Sequence, residues 1–81
     1  MTSRLTLYGR QYCHLCHDML AALEALRGEF AFEVEVVDVD ADPALEAKYD
    51  ELVPVLAAEG SELCRYLLDE PKVREYLGRF R

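Results

Sequence analysis

The chain has 81 residues, 52% hydrophobic and 31% charged, a composition that fits one small domain spanning 1–81 and excludes a low-complexity chain. A formal charge of −7 weighs against nucleic-acid binding, which draws most of its affinity from a basic footprint. No apolar run is long enough to span a bilayer, and the opening Met1-Thr2-Ser3-Arg4-Leu5 lacks the basic-then-apolar order of an export signal, so the expectation is a cytoplasmic protein with no membrane partner.

Residues 4–8, Arg-Leu-Thr-Leu-Tyr, alternate and favour a first strand, with 9–12 as a loop. From Cys13 the period becomes helical: Leu15, Met19, Ala22, Leu23 and Leu26 share a face, and Gly28 is the expected C-cap. Residues 30–39 return to strand character through Phe32, Val34, Val36 and Val37. Strand, helix and strand in this order require parallel pairing and a right-handed crossover. Asp42 is expected to cap a second helix that starts at Pro43 and runs to about residue 50, with Leu45 and Tyr49 on one side. Pro54 interrupts the apolar run 52–56 and cannot donate to a central ladder, so the third strand is expected after it. Glu59-Gly60-Ser61 reads as a hairpin turn and 62–67 as its return strand. Asp69-Glu70-Pro71 opens a last helix that turns Val73, Tyr76, Leu77 and Phe80 inward. The order β-α-β-α-β-β-α predicts an α/β fold, a four-stranded mixed sheet flanked by helices.

The three cysteines are an odd number, which does not suit a disulfide scaffold. Two of them form Cys13-His14-Leu15-Cys16, a spacing used in redox chemistry and in metal binding. A thiol attacks as thiolate, and four features favour one at Cys13. It stands at a helix start, where unpaired N–H groups favour negative charge. Cys16, three residues on, is within reach to donate its S–H. His14 adds positive charge when protonated, and Arg10 lies three residues upstream. Once Cys13 holds a mixed disulfide, Cys16 is placed to attack it and release the reduced substrate.

Metal readings compete with this one. Cys13-His14-Leu15-Cys16-His17 matches the pattern of covalent haem attachment, but that chemistry belongs to exported chains. Cys13, His14, Cys16 and His17 are zinc donors by type, yet they crowd into five residues, whereas a structural zinc joins two separated pairs. An iron–sulfur cluster shared between two chains would take ligands from a partner or a thiol, and stays open. His17 reads as a surface residue of the helix, and Cys64 as a small buried hydrophobe in a strand. Val53-Pro54 either ends a loop in the trans form or is a cis-proline that turns the Val53 backbone toward the sulfurs, and the Cys-x-x-C motif on a β-α-β unit selects the cis reading.

Leu5-Thr6-Leu7-Tyr8, Tyr12-Cys13-His14-Leu15-Cys16, Val36-Val37-Asp38-Val39-Asp40 and Val53-Pro54-Val55-Leu56 together resemble the glutaredoxin branch of the thioredoxin superfamily, over nearly the whole chain. The resemblance implies a thiol–disulfide oxidoreductase with Cys13 as nucleophile and Cys16 as resolving thiol. It implies that the backbone of Val53 and Pro54 contacts the substrate; Arg10, in place of the family's lysine, and Tyr12 are further expected substrate contacts, and the charge of His14 is expected to tune the thiolate. The expected partner is a disulfide-bearing protein or a small thiol, with glutathione as a co-substrate, no tightly bound cofactor, and a monomer. Three departures bear on glutathione. Arg65-Tyr66-Leu67-Leu68-Asp69-Glu70 has no counterpart of the family's Gly-Gly pair, Arg10-Gln11 stands in place of a lysine, and His14-Leu15 replaces Pro-Tyr. The alternative from another class is a binding module of the same fold, with an idle motif or an assembled metal cluster.

Overall fold

A computed structural model describes residues 3–11, 13–49 and 52–79. Strand β1 (Ser3–Gly9) lies inside the sheet, so the alternation of Leu5 and Leu7 with Arg4 and Thr6 sends one row of leucines into the core. Helix α1 (His14–Glu24) follows, and strand β2 (Phe32–Asp38) pairs parallel to β1, with Leu5 opposite Val34 and Leu7 opposite Val36. A 3-10 turn, Val39–Ala41, leads into α2 (Pro43–Tyr49). Strands β3 (Val55–Ala58) and β4 (Ser61–Arg65) form a hairpin, and α3 (Glu70–Gly78) closes the order. The sheet order is β2-β1-β3-β4, with β3 antiparallel to both neighbours. This is the mixed four-stranded α/β arrangement expected from the element order.

Helices α1 and α3 cover one face. Their Met19, Leu23, Val73 and Leu77 form one cluster with Leu5, Leu7 and Leu56 of the sheet. Helix α2 lies on the other face, where Tyr49 stacks on Tyr8 with ring centroids 4.6 Å apart. Strand β3 is covered on both sides, so all four of its residues are buried. Among the described residues no helix is long and apolar enough to cross a membrane.

Several expected boundaries move for physical reasons. Gly9 belongs to β1 rather than to the loop, because its pairing with Asp38 continues the parallel ladder. Helix α1 ends at Glu24, and Gly28 is not its cap. The bonds Leu26 N–H to Leu23 O (2.9 Å) and Arg27 N–H to Glu24 O (3.2 Å) tighten its end into 3-10 geometry. Arg27 then reaches the Phe32 carbonyl at 2.9 Å and fixes the start of β2 two residues later than expected. On α1 the core-facing row runs through Cys16, Met19 and Leu23, continued by Leu26 just past the helix end, so Leu15 faces solvent, contrary to its expected place in the core. The cysteine takes the inward position.

Asp42 does cap α2, accepting from the Ala44 N–H at 2.9 Å, and Asp69 caps α3, accepting from the Lys72 N–H at 3.2 Å. The hairpin turn has two residues, not three. Glu59 and Gly60 carry φ of 53° and 81°, which matches the twist of the flanking strands, and Ser61 already pairs with Ala58. The return strand stops at Arg65 because Tyr66 turns into the left-handed region at φ 66°. An irregularity in the β3–β4 ladder leaves Leu63 between the pairs Leu56–Cys64 and Ala57–Glu62. Leu63 and Cys64, although adjacent, therefore both pack against the core. The expected inward position of Phe80 lies outside the described residues.

Leu23 is fully buried between sheet and helices. Its replacement by alanine should cost about 2–5 kcal/mol through lost transfer energy and the cavity left behind. Urea denaturation of Leu23→Ala against the parent, at unchanged slope, measures this.

Candidate active site

The crossover between the parallel strands β1 and β2 carries α1 back along the sheet, so the helix begins beside the end of β1. Gly9, the last residue of β1, pairs with Asp38, and the adjacent Tyr8 pairs with Val55 of β3. Val55 in turn faces Arg65 of β4, and the Tyr66 N–H donates to the Pro54 carbonyl at 2.9 Å. The cysteine motif, the Val53–Pro54 bond and the residues after β4 thus share one edge of the sheet. The Val53–Pro54 peptide is cis.

Cys13 is the N-cap of α1, with extended backbone at φ −95° and ψ 111°. Its Sγ accepts from the Cys16 N–H at 3.1 Å, so a sulfur occupies the place where a cap normally puts an oxygen. Its N–H donates to the Arg10 carbonyl at 3.2 Å, and its C=O accepts from the His17 N–H at 3.3 Å. Cys13 and Cys16 are joined as a disulfide with Cα atoms 5.1 Å apart. The two sulfurs are not equivalent: Cys13 is half-buried, whereas Cys16 is only 5% exposed. An incoming group reaches Cys13 first.

The other expected site residues fall in different surroundings. Arg10 is half-buried beside the motif, and its Nε lies 3.2 Å from Asp40 Oδ1. That aspartate is presented by the 3-10 turn, whose start is capped by Asp38 accepting from the Asp40 N–H at 2.9 Å. His14 is almost fully exposed on the first turn of α1, with Nε2 3.7 Å from Asp18 Oδ2. Tyr12 lies outside the described residues. Val53 is half-buried and Pro54 buried, at the start of β3. Among the described residues no three metal-ligating side chains converge. Cys64 is a free cysteine on β4. Burial pushes its thiol above the ordinary range, partly offset by a hydrogen bond from the Asp69 backbone.

Two features were not anticipated from sequence. One is a cleft of 430 Å³ between α1 and the outer strand β2, lined in part by Leu7, Gly9, Arg10, Cys16, Leu20 and Val36. Its walls include Cys16 but not Cys13. The other is Gly9 itself, which lies against Cys16. A glycine at the end of a strand, four residues before a cysteine motif, is the signal that could have found it, because a strand glycine often marks a close approach.

Comparison with known proteins agrees with this geometry. A family model described as a glutaredoxin-like domain (DUF836) matches residues 4–78. The chain belongs to this glutaredoxin-like family. Its fold is similar to that of protein Ne2328 from Nitrosomonas europaea, with 42% identity, a TM-score of 0.87, and coverage of 95% of this chain and 93% of that one. Protein XcR50 from X. campestris is 37% identical with a TM-score of 0.66, covering 93% and 96% of the two chains. At 22% identity and a TM-score of 0.63, thioredoxin 1 from Thermosipho africanus shares the fold over 95% of this chain and 92% of its own. Rv0508 of Mycobacterium tuberculosis is 27% identical in an alignment that covers 94% of this chain and 84% of that protein.

The unequal surroundings of the thiols in this glutaredoxin-like chain predict an order of alkylation. In the reduced, folded protein, Cys13 should react with iodoacetamide first. Cys64 should lag, and its rate should rise only at higher pH than that of an ordinary thiol, since burial keeps it protonated where an ordinary thiol already ionises. Peptide mass spectrometry across a pH series reads both rates.

Proposed function

We propose that this protein is a thiol–disulfide oxidoreductase that works through Cys13 and Cys16. The observation that carries the reading is their asymmetry: a reachable sulfur capping a helix, and a buried one three residues behind it. In the reduced protein, the N–H groups of the first turn of α1 and the Cys16 amide favour a Cys13 thiolate. That thiolate attacks a substrate disulfide R–S–S–R′, forms Cys13–S–S–R and expels R′S⁻. Cys16 then loses its proton and attacks the Cys13 sulfur, closing the Cys13–Cys16 disulfide and expelling RS⁻. Two electrons pass from the dithiol to the substrate. An external thiol or dithiol restores the reduced pair by the reverse steps.

Val53 and Pro54 supply the backbone against which an extended substrate lies, with Arg10 and Tyr12 as further substrate contacts. His14 contributes charge to the motif when protonated. The substrate is a disulfide-bearing protein or a small disulfide, glutathione mixed disulfides included, and the protein acts as a cytoplasmic monomer.

Cys13→Ser should reduce turnover of a protein disulfide to background. Cys16→Ser should let the first step proceed and stop the second, leaving a covalent adduct on Cys13 that mass spectrometry detects. Full activity in Cys13→Ser, or no adduct in Cys16→Ser with any disulfide, would overturn this mechanism. A coloured, dimeric protein purified without oxygen would favour the metal-cluster module instead.

A further inference from the structure

Gly9 ends β1 directly against the first turn of α1. A β-carbon placed on it would lie 2.8 Å from Cys16 Sγ and 3.2 Å from Cys16 Cβ, the first closer than unbonded side-chain atoms approach. Backbone geometry does not demand a glycine here, since the positive-φ glycine among the described residues is Gly60. Gly28 and Gly78 would meet nothing within 4 Å. What Gly9 provides is space, and the sulfur of Cys16 fills it.

We propose that Gly9 is a positioning residue that seats the Cys16 sulfur for its attack on the mixed disulfide at Cys13. The proposal rests on the exchange reading above and deepens it. The step is the second one: the Cys16 thiol gives up its proton, its sulfur bonds to Cys13 Sγ, and the Cys13–S–R bond breaks to release RS⁻. In the disulfide form the Cys16 sulfur is held in one place beside Gly9. In the reduced form the side chain can turn away from an added methyl group. An alanine at position 9 therefore opposes the oxidised state more than the reduced one, and slows the closure that leads to it.

The test has two arms. In the first, the wild type, Gly9→Ala and the control Gly28→Ala are equilibrated in glutathione buffers, and the lifetime of a mixed disulfide on Cys13 is followed after mixing. Gly9→Ala should lower the equilibrium constant for closing the Cys13–Cys16 disulfide at least tenfold, which is about 30 mV for a two-electron couple, and lengthen the lifetime of the adduct. Gly28→Ala should match the wild type. Equal constants in Gly9→Ala and the wild type overturn the proposal.

In the second arm, the melting-temperature loss caused by Gly9→Ala is measured in the oxidised protein and again in a Cys16→Ala background, as a double-mutant cycle. The loss caused by Gly9→Ala should fall by more than half once the sulfur is gone. An undiminished loss means the methyl group is felt elsewhere and the role is only structural, which overturns the proposal. If Gly9→Ala alone does not fold, recovery of folding in the double variant supports the seat, and failure to recover refutes it. A wild type with no reversible couple would sink the exchange reading by itself, while the cycle would still decide whether Gly9 seats this sulfur.

Discussion

The first turn of α1 rests on the end of β1 through the Cys16 sulfur, which lies over a residue with no side chain. Parallel pairing of β1 and β2 obliges the intervening helix to return across the sheet face, so its N-terminus stands at the edge where β1 ends. Cys16 belongs to the same inward row as Met19 and Leu23. Rotating or sliding the helix to move this sulfur would unpack those residues too. The placement of a reactive group is thereby tied to the packing of the core, where displacements are opposed by close contact on every side. Cys13, one turn earlier, stands outside this constraint and remains reachable.

The opposite wall of the site comes from the hairpin. Tyr66 is not glycine, yet it holds a left-handed backbone, a conformation that costs about 1–3 kcal/mol. Its N–H is bonded to the Pro54 carbonyl, and the Leu67 N–H is bonded to the Arg65 carbonyl at 2.7 Å. These bonds set where β4 stops and leave Leu67 68% exposed. Ion pairs contribute little by comparison. Arg4–Glu33, Arg27–Glu24 and Arg79–Glu75 are all solvent-exposed, a class worth at most about 1 kcal/mol each. The fold rests on its apolar core and its capped helices.

The order of elements was legible in the sequence because each change of hydrophobic period is marked by a residue of limited conformational choice. Asp42-Pro43 and Asp69-Glu70-Pro71 announced helix starts through capping chemistry, and Pro54 dated the start of β3 by its missing donor. The element ends were less legible, since they depend on contacts between distant segments. Arg27 reaching the Phe32 carbonyl and Tyr66 reaching the Pro54 carbonyl are tertiary bonds that no local pattern encodes. The cysteine pair and the cis proline were legible as a combination. The exchange of places between Leu15 and Cys16 was not, because hydrophobicity alone ranks leucine as the inward residue. The cleft beside Cys16 and the vacancy at Gly9 arise from the meeting of α1, β1 and β2, and exist only once all three are placed.

Strand β2 has an unpaired outer edge, and Val36 stands 60% exposed on it. Such an edge is a template for strand addition by another copy. Glu33, Glu35 and Asp38 line this strand, so two copies approaching edge to edge would bring like charges together. Glu33 is offset by its ion pair with Arg4, so Glu35 and Asp38 carry most of this guard. Near the isoelectric point of about 4.7 the net repulsion between molecules fades. Resistance to strand-mediated association therefore rests partly on net charge and weakens as the pH approaches the isoelectric point.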